Sequence, residues 1–526
     1  MGRGKIAVAG LVAGLIAALL MTLVMIALRA GLGISPPPES IPDRLAPTIP
    51  VGAFLPLLSR VGGYNRLKQL GIGGGLLGQL IVGALGGMFF ARVTETETAS
   101  KMVGVRRFGL SGRDALVVAP LVGVAWVITL GLLWPVRGAN YRGLAPGSAL
   151  LANALGLLFA YASYGLALTV VYRLITGSDP VRQVESDAGV PFGRRVAITG
   201  VAGAALALAG GGFLRLLVGR ATFGYDGTRY QGADIQPLTP NERFYVVTKN
   251  VFDPAVARDS WSLEITGLVE RRTTYSFAEL TALPATTQET TLRCISNGVG
   301  DGLLSNATWK GVPLRQLLAA AGPRAGIVEV KLHGADGYTD TFALAKALEP
   351  TTLVAYEMNG AALPERHGYP ARVIVPGLYG EKHVKWVTRI ELVDHDAQGF
   401  YEQQGWGPNF AVATSSRIDM PDFAQPVRVG TPITLKGVAF AGDRGVSRVE
   451  VSTDDGRTWR EARRDYPGTR LTWALWSYAW RPANPGEYKL AVRATDGTGA
   501  VQTAEERGVA PEGATGYHRV TARVEA

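Results

Sequence analysis

Cysteine is almost absent from this chain: its 526 residues include a single one, Cys294. A lone cysteine cannot form an internal disulfide, and it cannot bind an iron–sulfur cluster, which needs several thiolates. Three roles remain open to it: a small apolar residue of the core, a nucleophile, or the one protein thiolate on a metal cofactor. The sequence around it has to decide between them.

Histidine is also scarce, and its distribution excludes one kind of cofactor. All five histidines lie beyond residue 330. A bis-histidine haem between N-terminal helices is therefore excluded, because the usual axial ligands are missing there.

Charge is unevenly distributed along the chain. Residues 1–220 hold 20 Lys/Arg against 8 Asp/Glu, whereas the remainder holds 33 against 35. The basic excess thus falls in the most apolar part of the chain, as expected for loops that face an anionic membrane surface. Nucleic-acid binding, which would place the excess on a soluble domain, is not indicated.

Long apolar runs fill the N-terminal part. Each has about 20 residues or more, enough for a helix to cross the roughly 30 Å hydrocarbon core of a bilayer. Buried core helices are the alternative, but all five runs are almost free of charge. The predicted transmembrane helices lie at about 6–28, 70–90, 115–134, 149–175 and 196–218.

Basic residues beside these helices predict their orientation. They precede the first helix and fill the connections between the second and third and between the fourth and fifth, which places these segments in the cytoplasm. With five spans, the chain after about residue 220 is extracytoplasmic, and the protein is a multi-pass protein of the cell membrane. An alternative stays open, since Phe192-Gly-Arg-Arg195 before an apolar run resembles a twin-arginine export signal. The basic residues used are Arg3, Lys5, Lys101, Arg106, Arg107, Arg113, Arg173, Arg182, Arg194 and Arg195.

The second half of the chain has a globular pattern. A polar linker over 221–240 precedes a predicted α+β domain over 241–410, in which Phe244–Thr248 and Trp386–Val393 are among the predicted strands. After about residue 410, short strands separated by Asp-Gly and Asn-Pro-Gly turns predict a β-sandwich over 411–526, immunoglobulin-like in outline. The predicted fold is therefore multi-domain: a five-helix transmembrane domain over 1–220, an α+β domain and a β-sandwich.

Several motifs of this half, taken in order and spacing, resemble the molybdopterin-binding sulfite oxidase family. The lone cysteine stands in Thr291-Leu-Arg-Cys294, and the sandwich segment Val449–Trp459 resembles that family's dimerisation domain. The resemblance covers about residues 240–526. The other motifs that carry it are Asn241–Asn250, Ala307–Leu318, Leu353–Gly360 and His367–Trp386.

The resemblance implies one molybdenum held by a pyranopterin (molybdopterin) and by the Cys294 thiolate. The pterin ends in a phosphate, which Arg and Lys side chains and backbone N–H groups suit. The substrate pocket would include Lys249, Arg293 and Trp309. The positions implied for cofactor binding are Tyr245, Asn250, His367, Arg372, His383, Val384 and Lys385.

Each of these assignments has a plainer alternative. Cys294 would otherwise be a packed core residue, and His367 and Arg372 would be a turn residue and part of a surface ion pair. Arg293 would be a charge on one face of a strand, and Trp309 would belong to the core.

The resemblance is incomplete at the substrate pocket. Animal and plant sulfite oxidases have an arginine shortly after the cysteine, where this chain has Ile295–Asp301, and another on the early strand, where it has Lys249. A substrate-site tyrosine of the family is also missing near Asp396–Tyr401. Fewer cations disfavour a buried dianion such as sulfite. The bacterial branch of the family, which includes a periplasmic methionine sulfoxide reductase, is the better analogy.

The sequence therefore predicts a membrane-anchored molybdenum oxidoreductase that transfers an oxygen atom to or from a small, sulfur-containing substrate outside the cytoplasm. A sulfite dehydrogenase with a modified anion pocket and a cofactor-free scaffold or adhesion protein are the alternatives. The expected partners are the substrate, membrane lipid, a separate electron carrier (a cytochrome, a quinone or a redox subunit) and a second copy in a homodimer.

Overall fold

The structure is a computed structural model, which describes residues 3–96, 112–134, 138–176, 192–219 and 221–526. It divides into two units. The first contains Met1–Ala46 and Leu58–Gly224, and the second contains Pro47–Leu57 and Tyr225–Ala526. Four basic residues on which the predicted orientation partly rests lie outside the described residues: Lys101, Arg106, Arg107 and Arg182.

Helices make up most of the described N-terminal part. All five predicted apolar segments fall inside helices of this part. The helices are α1 (Arg3–Leu32), α2 (Pro37–Leu45), α3 (Val51–Val61), α4 (Tyr64–Thr96), α5 (Gly112–Leu133), α6 (Pro146–Thr176) and α7 (Phe192–Val218).

Four stretches within the described residues are long and apolar enough to cross a membrane, by length and composition. They are Gly4–Leu32, Tyr64–Thr94, Asp114–Leu133 and Gly147–Thr176. The apolar part of α7, Val196–Gly212, is shorter. It lies at the lower end of the roughly 17–25 residues that spanning helices use.

Close backbone approach joins α1 to α4. Gly10 and Gly14 of α1 face Gly83 and Gly87 of α4, and a Cβ atom added at Gly10 would lie 2.5 Å from the Gly87 carbonyl oxygen. Helix α6 joins the same group, because the Tyr164 hydroxyl donates to the Gly83 carbonyl at 2.7 Å. Small residues at such a contact let two helices approach until their backbones touch, which is how helices associate in lipid.

The second unit begins with a mixed α/β part. Its strands pair in two sheets, with orders β2-β1-β10-β5-β6 and β3-β4-β7-β8, and β9 also pairs with β7. The helices are α8 (Phe277–Ala282), α9 (Leu314–Ala321) and α10 (Leu344–Ala347). The strands are β1 (Ser262–Gly267), β2 (Thr273–Ser276), β3 (Thr286–Arg293), β4 (Leu304–Pro313), β5 (Glu329–Gly334), β6 (Thr339–Ala343), β7 (Leu353–Met358), β8 (Ala361–Ala362), β9 (Arg372–Ile374) and β10 (Val387–Val393).

The C-terminal part forms a β-sandwich, as the sequence predicts. Its two sheets have the orders β11-β13-β17-β16 and β12-β19-β18-β14-β15. They share one core, to which Leu435 and Trp476 contribute from the first sheet and Val449 and Leu490 from the second. The strands are β11 (Ser415–Met420), β12 (Val427–Arg428), β13 (Ile433–Phe440), β14 (Val446–Ser452), β15 (Arg460–Glu461), β16 (Arg463–Tyr466), β17 (Ala474–Trp480), β18 (Gly486–Asp496) and β19 (His518–Glu525).

One predicted strand, Phe244–Thr248, is wrong: this segment belongs to no sheet of the structure. Its backbone groups find other partners. The Tyr245 N–H donates to the Ser305 hydroxyl at 3.1 Å, and the Thr248 N–H donates to Asp226 Oδ1 at 3.0 Å. Apolar and β-branched residues predict a strand here. The side chains of Ser305 and Asp226 accept the backbone hydrogen bonds that a neighbouring strand would otherwise accept, so the segment joins no sheet.

A short segment between α1 and α4 belongs to the second unit. Val51, at the start of α3, is buried in one cluster with Trp406 and Phe410. Leu55, one helical turn later, packs against the same cluster. The chain therefore leaves the first unit after Ala46, contributes Pro47–Leu57 to the second, and returns to the first at Leu58, within α3.

Candidate active site

Cys294 lies immediately after β3, at the start of a tight loop. The loop closes because the Cys294 N–H donates to the Leu303 carbonyl at 3.0 Å and the Leu303 N–H donates to Asn297 Oδ1 at 2.7 Å. The thiol is 8% exposed, and its sulfur lies 3.1 Å from the Ser296 hydroxyl. The end of a paired strand and a hydrogen-bonded loop thus fix the position of the sulfur.

The environment of Cys294 disfavours a free thiolate. Burial, followed by the nearby Glu381 carboxylate, raises the pKa of the Cys294 thiol to about 11, against a smaller lowering by Ser296. At neutral pH an uncoordinated Cys294 is therefore protonated and a poor nucleophile. A bound cationic metal would deprotonate it outright.

Tyr245 lies beside the cysteine, and Arg372 lies near Tyr245. Burial raises the pKa of the Tyr245 hydroxyl well above its usual value, Cys294 raises it further, and Arg372 lowers it. A Cβ atom at Gly380 would collide with this hydroxyl and would lie 3.3 Å from the Arg293 carbonyl. A glycine is thus needed at 380 to let the segment after β9 approach the end of β3.

Arg372, the first residue of β9, is almost fully buried among main-chain carbonyls. Its Nη1 donates to the His367 carbonyl at 3.1 Å, and its Nη2 donates to the His383 carbonyl at 3.0 Å. Its Nε is buried and has no hydrogen-bond partner among the described residues. Burial lowers the pKa of Arg372 to about 10, so the group stays charged at neutral pH.

Lys385 lies next to this arginine. A Cβ atom at Gly368, where φ is +111°, would lie 3.1 Å from both Arg372 Cβ and Lys385 Cα. The Lys385 ammonium donates to the Arg366 carbonyl at 3.2 Å and lies 4.3 Å from the centre of the Trp386 ring. Burial lowers the pKa of Lys385, while Asp253 and Asp336 raise it. Two cations are thus held side by side behind a turn that only glycine fits.

Both predicted histidines are buried and use their rings in main-chain contacts. His367 Nε2 lies 2.9 Å from the Asn241 carbonyl. His383 Nδ1 accepts from the Val375 N–H at 3.1 Å, and its Nε2 lies 3.1 Å from the Leu378 carbonyl. Burial lowers the pKa of both rings to about 3, so both are neutral.

The backbone groups of His383 and Val384 already take part in local bonds. The His383 N–H donates to the Gly380 carbonyl at 3.2 Å, and the Val384 carbonyl accepts from the Val373 N–H at 2.9 Å. These bonds hold the segment between β9 and β10 in place and thereby fix the position of Lys385 beside Arg372.

Lys249 and Asn250 contact Asp336, in the turn between β5 and β6. The Lys249 ammonium donates to the Asp336 carbonyl at 3.0 Å and lies 5.8 Å from the centre of the Phe400 ring. Asn250 Nδ2 donates to Asp336 Oδ2 at 3.0 Å. The Lys249 ammonium thus stands beside an aromatic ring.

The structure brings Trp309 to the cysteine's surroundings and directs the guanidinium of Arg293 to the carbonyls of Ala413 and Ala514. Trp309 is fully buried, donates to the Thr290 carbonyl at 3.1 Å, and lies 5.1 Å from the Arg372 guanidinium carbon. Arg293 follows Leu292 and precedes Cys294, two residues that share one apolar cluster. Because side chains alternate along a strand, Arg293 points to the opposite face.

A buried group of charges adjoining this region was not predicted. Burial and then Asp340 raise the pKa of Glu381 to about 8. Lys382 is 1% exposed, pairs with Asp340 at 2.7 Å and also with Glu402, and lies 3.7 Å from the centre of the Phe410 ring. In the sequence, the only indication of this group is that Glu381 and Lys382 are adjacent, within the motif that ends in Lys385-Trp386.

Within the described residues, no group of three or more His, Cys, Asp or Glu side chains is placed to hold a metal ion. A metal here would need donors from outside the protein. One thiol, a buried arginine with an unsatisfied Nε, a lysine beside it and a glycine turn fit an anionic organic cofactor that brings its own metal.

Comparison with known proteins agrees with this chemistry. Residues 250–401 match the family described as the oxidoreductase molybdopterin binding domain, and residues 409–525 match the Mo-co oxidoreductase dimerisation domain. The chain is 32% identical to sulfite oxidase of Gallus gallus over 314 residues, covering 50% of this chain and 68% of that protein. It is 31% identical to mitochondrial sulfite oxidase of Rattus norvegicus over 314 residues, covering 50% of this chain and 57% of the rat protein.

A solved structure is also similar in part. The sulfane dehydrogenase SoxCD from Paracoccus pantotrophus is 26% identical, with a TM-score of 0.48, over 56% of this chain and 85% of that one. The similarity to these proteins is confined to part of the chain.

Proposed function

We propose, from the premise that this chain belongs to the sulfite oxidase family, that it is a membrane-anchored molybdenum oxidoreductase. It would transfer an oxygen atom to or from a small, sulfur-containing substrate outside the cytoplasm. The observation that carries the proposal is the position of the one thiol, Cys294, which is buried in one cluster with Tyr245, a tyrosine whose hydroxyl is in turn near Arg372.

Cys294 would be the protein ligand of the molybdenum, and Arg372 and Lys385 would hold the anionic end of the molybdopterin. The unsatisfied Nε of Arg372 supports this role, since a buried donor without a partner costs free energy. When bound, the cofactor would supply the oxygen-atom transfer and the accompanying two-electron change. Tyr245, Asn250, His367, His383 and Val384 complete the set of residues proposed for cofactor binding.

The residues of this chain would bind the cofactor, orient it and shield it from water. Arg372 is held in one orientation by the carbonyls of His367 and His383, so its charge is preorganised before the cofactor binds. His367 and His383 stay neutral and act through their ring and carbonyl contacts rather than as acids. Trp309, fully buried, covers the arginine and excludes water from it.

The packing of α3 supports five spans and an extracytoplasmic catalytic part. Val51 lies with Trp406 and Phe410, so the connection between α1 and α4 shares one side of the membrane with the second unit. Four helices, α4 to α7, follow before residue 225. To return to the side of the membrane on which the connection between α1 and α4 lies, the chain must cross the membrane an even number of times. If α4, α5 and α6 each cross it, α7 must therefore cross it too.

Orientation follows from the first helix. Arg3 and Lys5 precede its apolar run, which favours a cytoplasmic N-terminus. The connection that contains Val51 is then extracytoplasmic, and so is the second unit. We further propose an immunoglobulin-like outline for the sandwich and, from the matched dimerisation domain, a homodimer.

The substrate is proposed to be a neutral or weakly charged sulfur compound. Lys249 stands beside Phe400, and Arg293 donates to carbonyls on the other face of β3. One cation against an aromatic ring suits a sulfoxide better than a dianion. Sulfite is the second candidate, because the similar vertebrate proteins are sulfite oxidases and Lys249 takes the place of one of the family's arginines.

Electrons would be exchanged with a separate carrier: a cytochrome, a quinone or a redox subunit. The chain has no histidine before residue 330 with which to bind a haem between its helices.

The test is metal analysis of the full chain, purified from a host that makes the cofactor, beside Cys294→Ser. We expect about one molybdenum and one pterin per wild-type chain, with turnover of a sulfoxide in the presence of an artificial electron donor, and loss of turnover in the variant. Wild-type protein without molybdenum would overturn the proposal and favour a cofactor-free scaffold. Turnover of sulfite but not of sulfoxides would make sulfite, rather than a sulfoxide, the proposed substrate.

A further inference from the structure

Arg293 is a buried cation next to the proposed metal ligand. The side chain is 1% exposed, and among the described residues no carboxylate pairs with it. Its Nη1 donates to the Ala413 carbonyl at 3.1 Å, and its Nη2 donates to the carbonyls of Ala514 at 3.2 Å and Asn297 at 3.4 Å. The guanidinium thus joins three chain segments that are far apart in sequence.

Two of these segments belong to the sandwich region and one to the cysteine loop. Ala413 lies two residues before β11, and Ala514 lies four residues before β19. Asn297 is the residue whose Oδ1 accepts from the Leu303 N–H and whose own N–H donates to the Cys294 carbonyl at 3.1 Å. Arg293 therefore holds the loop at the residue that closes it.

A second buried arginine holds the other end of the same loop. Arg417 of β11 donates to the Asp301 carbonyl at 2.7 Å and pairs with Asp419 at 2.9 Å. The strand before the cysteine is bound from the same side, because the Thr291 N–H donates to the Leu471 carbonyl at 3.0 Å. The loop that carries Cys294 is thus seated on the sandwich at several points.

We propose that Arg293 is a positioning residue for Cys294: it fixes the cysteine loop against the sandwich and so sets the direction of the sulfur toward the metal. This inference rests on the proposed role of Cys294 as the metal ligand. It assigns the C-terminal part a role in the geometry of the site, in addition to dimerisation.

The physical reason lies in the geometry of the guanidinium. Its planar fork reaches carbonyls in three directions at once, which an ammonium on a flexible stem does not do equally well. Hydrogen bonds from a charged donor are also stronger than those from a neutral one. A loop held in this way opens less often than one held by neutral bonds.

The test uses the full chain, purified with its cofactor, and compares Arg293→Met with Arg444→Met. Arg444 is the control, because it also donates to a carbonyl before β11, that of Val412 at 3.0 Å, and its other partners, Asp496 and Thr414, lie outside the cysteine loop. Hydrogen–deuterium exchange of the peptide covering residues 294–303 is the first readout. We expect exchange there to rise about tenfold in Arg293→Met, because local opening becomes easier, and to stay at the wild-type rate in Arg444→Met.

The second readout is the electron paramagnetic resonance spectrum of the partly reduced molybdenum. We expect shifted g-values in Arg293→Met, a lowered kcat and a KM within about twofold of wild type, because the guanidinium does not face the substrate. Arg444→Met should keep the wild-type spectrum. A raised KM for an anionic substrate with unchanged exchange would overturn the proposal and return Arg293 to the substrate pocket.

If Arg293→Met does not fold well enough to be purified, Arg293→Lys is the second variant to test. It keeps the charge but loses the fork, so we expect changes in the same direction and smaller. A wild-type spectrum together with wild-type exchange in Arg293→Lys would overturn the proposal. If wild-type protein holds no molybdenum, the proposed function fails, whereas the exchange comparison still decides whether Arg293 holds the loop.

Discussion

The helices of the first unit meet through glycines, whereas the segments around Cys294 in the second unit meet through buried charged groups. Gly10 and Gly14 on α1 touch the backbone of α4. In the second unit, Arg293 and Lys382 are each 1% exposed and surrounded by carbonyl or carboxylate oxygens. In lipid, apolar side chains gain little by leaving one apolar surrounding for another, so close approach decides the contact.

The difference teaches which changes each unit tolerates. A charged group buried among fixed acceptors is sensitive to loss of its partner, since the remaining charge stays uncompensated. A glycine contact is sensitive to added volume instead. The comparison is testable, because the one thiol makes a thiol-reactive dye a reporter of the second unit alone.

The largest effect is expected for Lys382→Met. It would leave Asp340 and Glu402 facing each other without their cation, which typically costs about 3–5 kcal/mol for a buried pair. The measurement is thermal unfolding of the full chain in detergent, followed by dye labelling of Cys294. The midpoint should fall by several degrees.

Lys346→Met is the control for that change. Lys346 also contacts two carboxylates, Glu349 and Asp443, both at 2.8 Å, but these are 38% and 26% exposed. We expect an effect of about 1 kcal/mol or less, as for other solvent-accessible pairs. Equal losses in the two variants would contradict the view that burial makes the Lys382 group sensitive.

Gly87→Leu should affect the first unit and spare the second. The added side chain would collide with Gly10 and Gly14 of α1, and overpacking of this kind typically costs about 1–3 kcal/mol. Helix unfolding followed by circular dichroism should shift to lower temperature, while dye labelling of Cys294 keeps its midpoint. Gly78→Leu on the same helix, where an added Cβ meets nothing within 4 Å, should change neither.

The last effect is a dependence of stability on pH. Burial lowers the folded-state pKa of His367 and His383 to about 3, against about 6.5 in an unfolded chain. The unfolded state therefore binds more protons between these values, so stability is complete above about pH 6.5 and falls as the pH drops toward 3.

His383→Gln should remove about 2 kcal/mol of the loss expected between about pH 7.5 and pH 5. Tryptophan fluorescence during thermal unfolding at the two pH values measures it. The control is His395→Gln, since it removes a histidine that is 67% exposed and leaves both buried rings in place. An identical acid shift of the midpoint in wild type and His383→Gln would show that another group controls it.

Local patterns were enough to predict much of the fold. Long uncharged runs predict helices whatever they pack against, because backbone groups in lipid must be satisfied within the helix. All five runs are helical in the structure, and alternation with turn residues likewise predicted the sandwich. The strand Phe244–Thr248 failed because Ser305 and Asp226, distant in sequence, take up its backbone donors.

The chemistry of the site was predicted from the sequence, and its geometry was not. The resemblance of the motifs around Cys294 and before Lys385-Trp386 to the sulfite oxidase family implied a single thiolate and a molybdopterin. Those inferences depend only on the types of residue and their order, which can be read directly from the sequence. The family matches agree with them over residues 250–401 and 409–525.

Only the tertiary structure decided which charges face the cysteine. Arg293 is next to Cys294 in sequence, yet strand alternation turns it toward Ala413 and Ala514. Lys382 is buried with Asp340. Val51 lies between two membrane-type helices in sequence and belongs to the second unit. Each outcome depends on partners more than 40 residues away, whose positions no local pattern encodes, because burial and pairing are properties of the assembled chain.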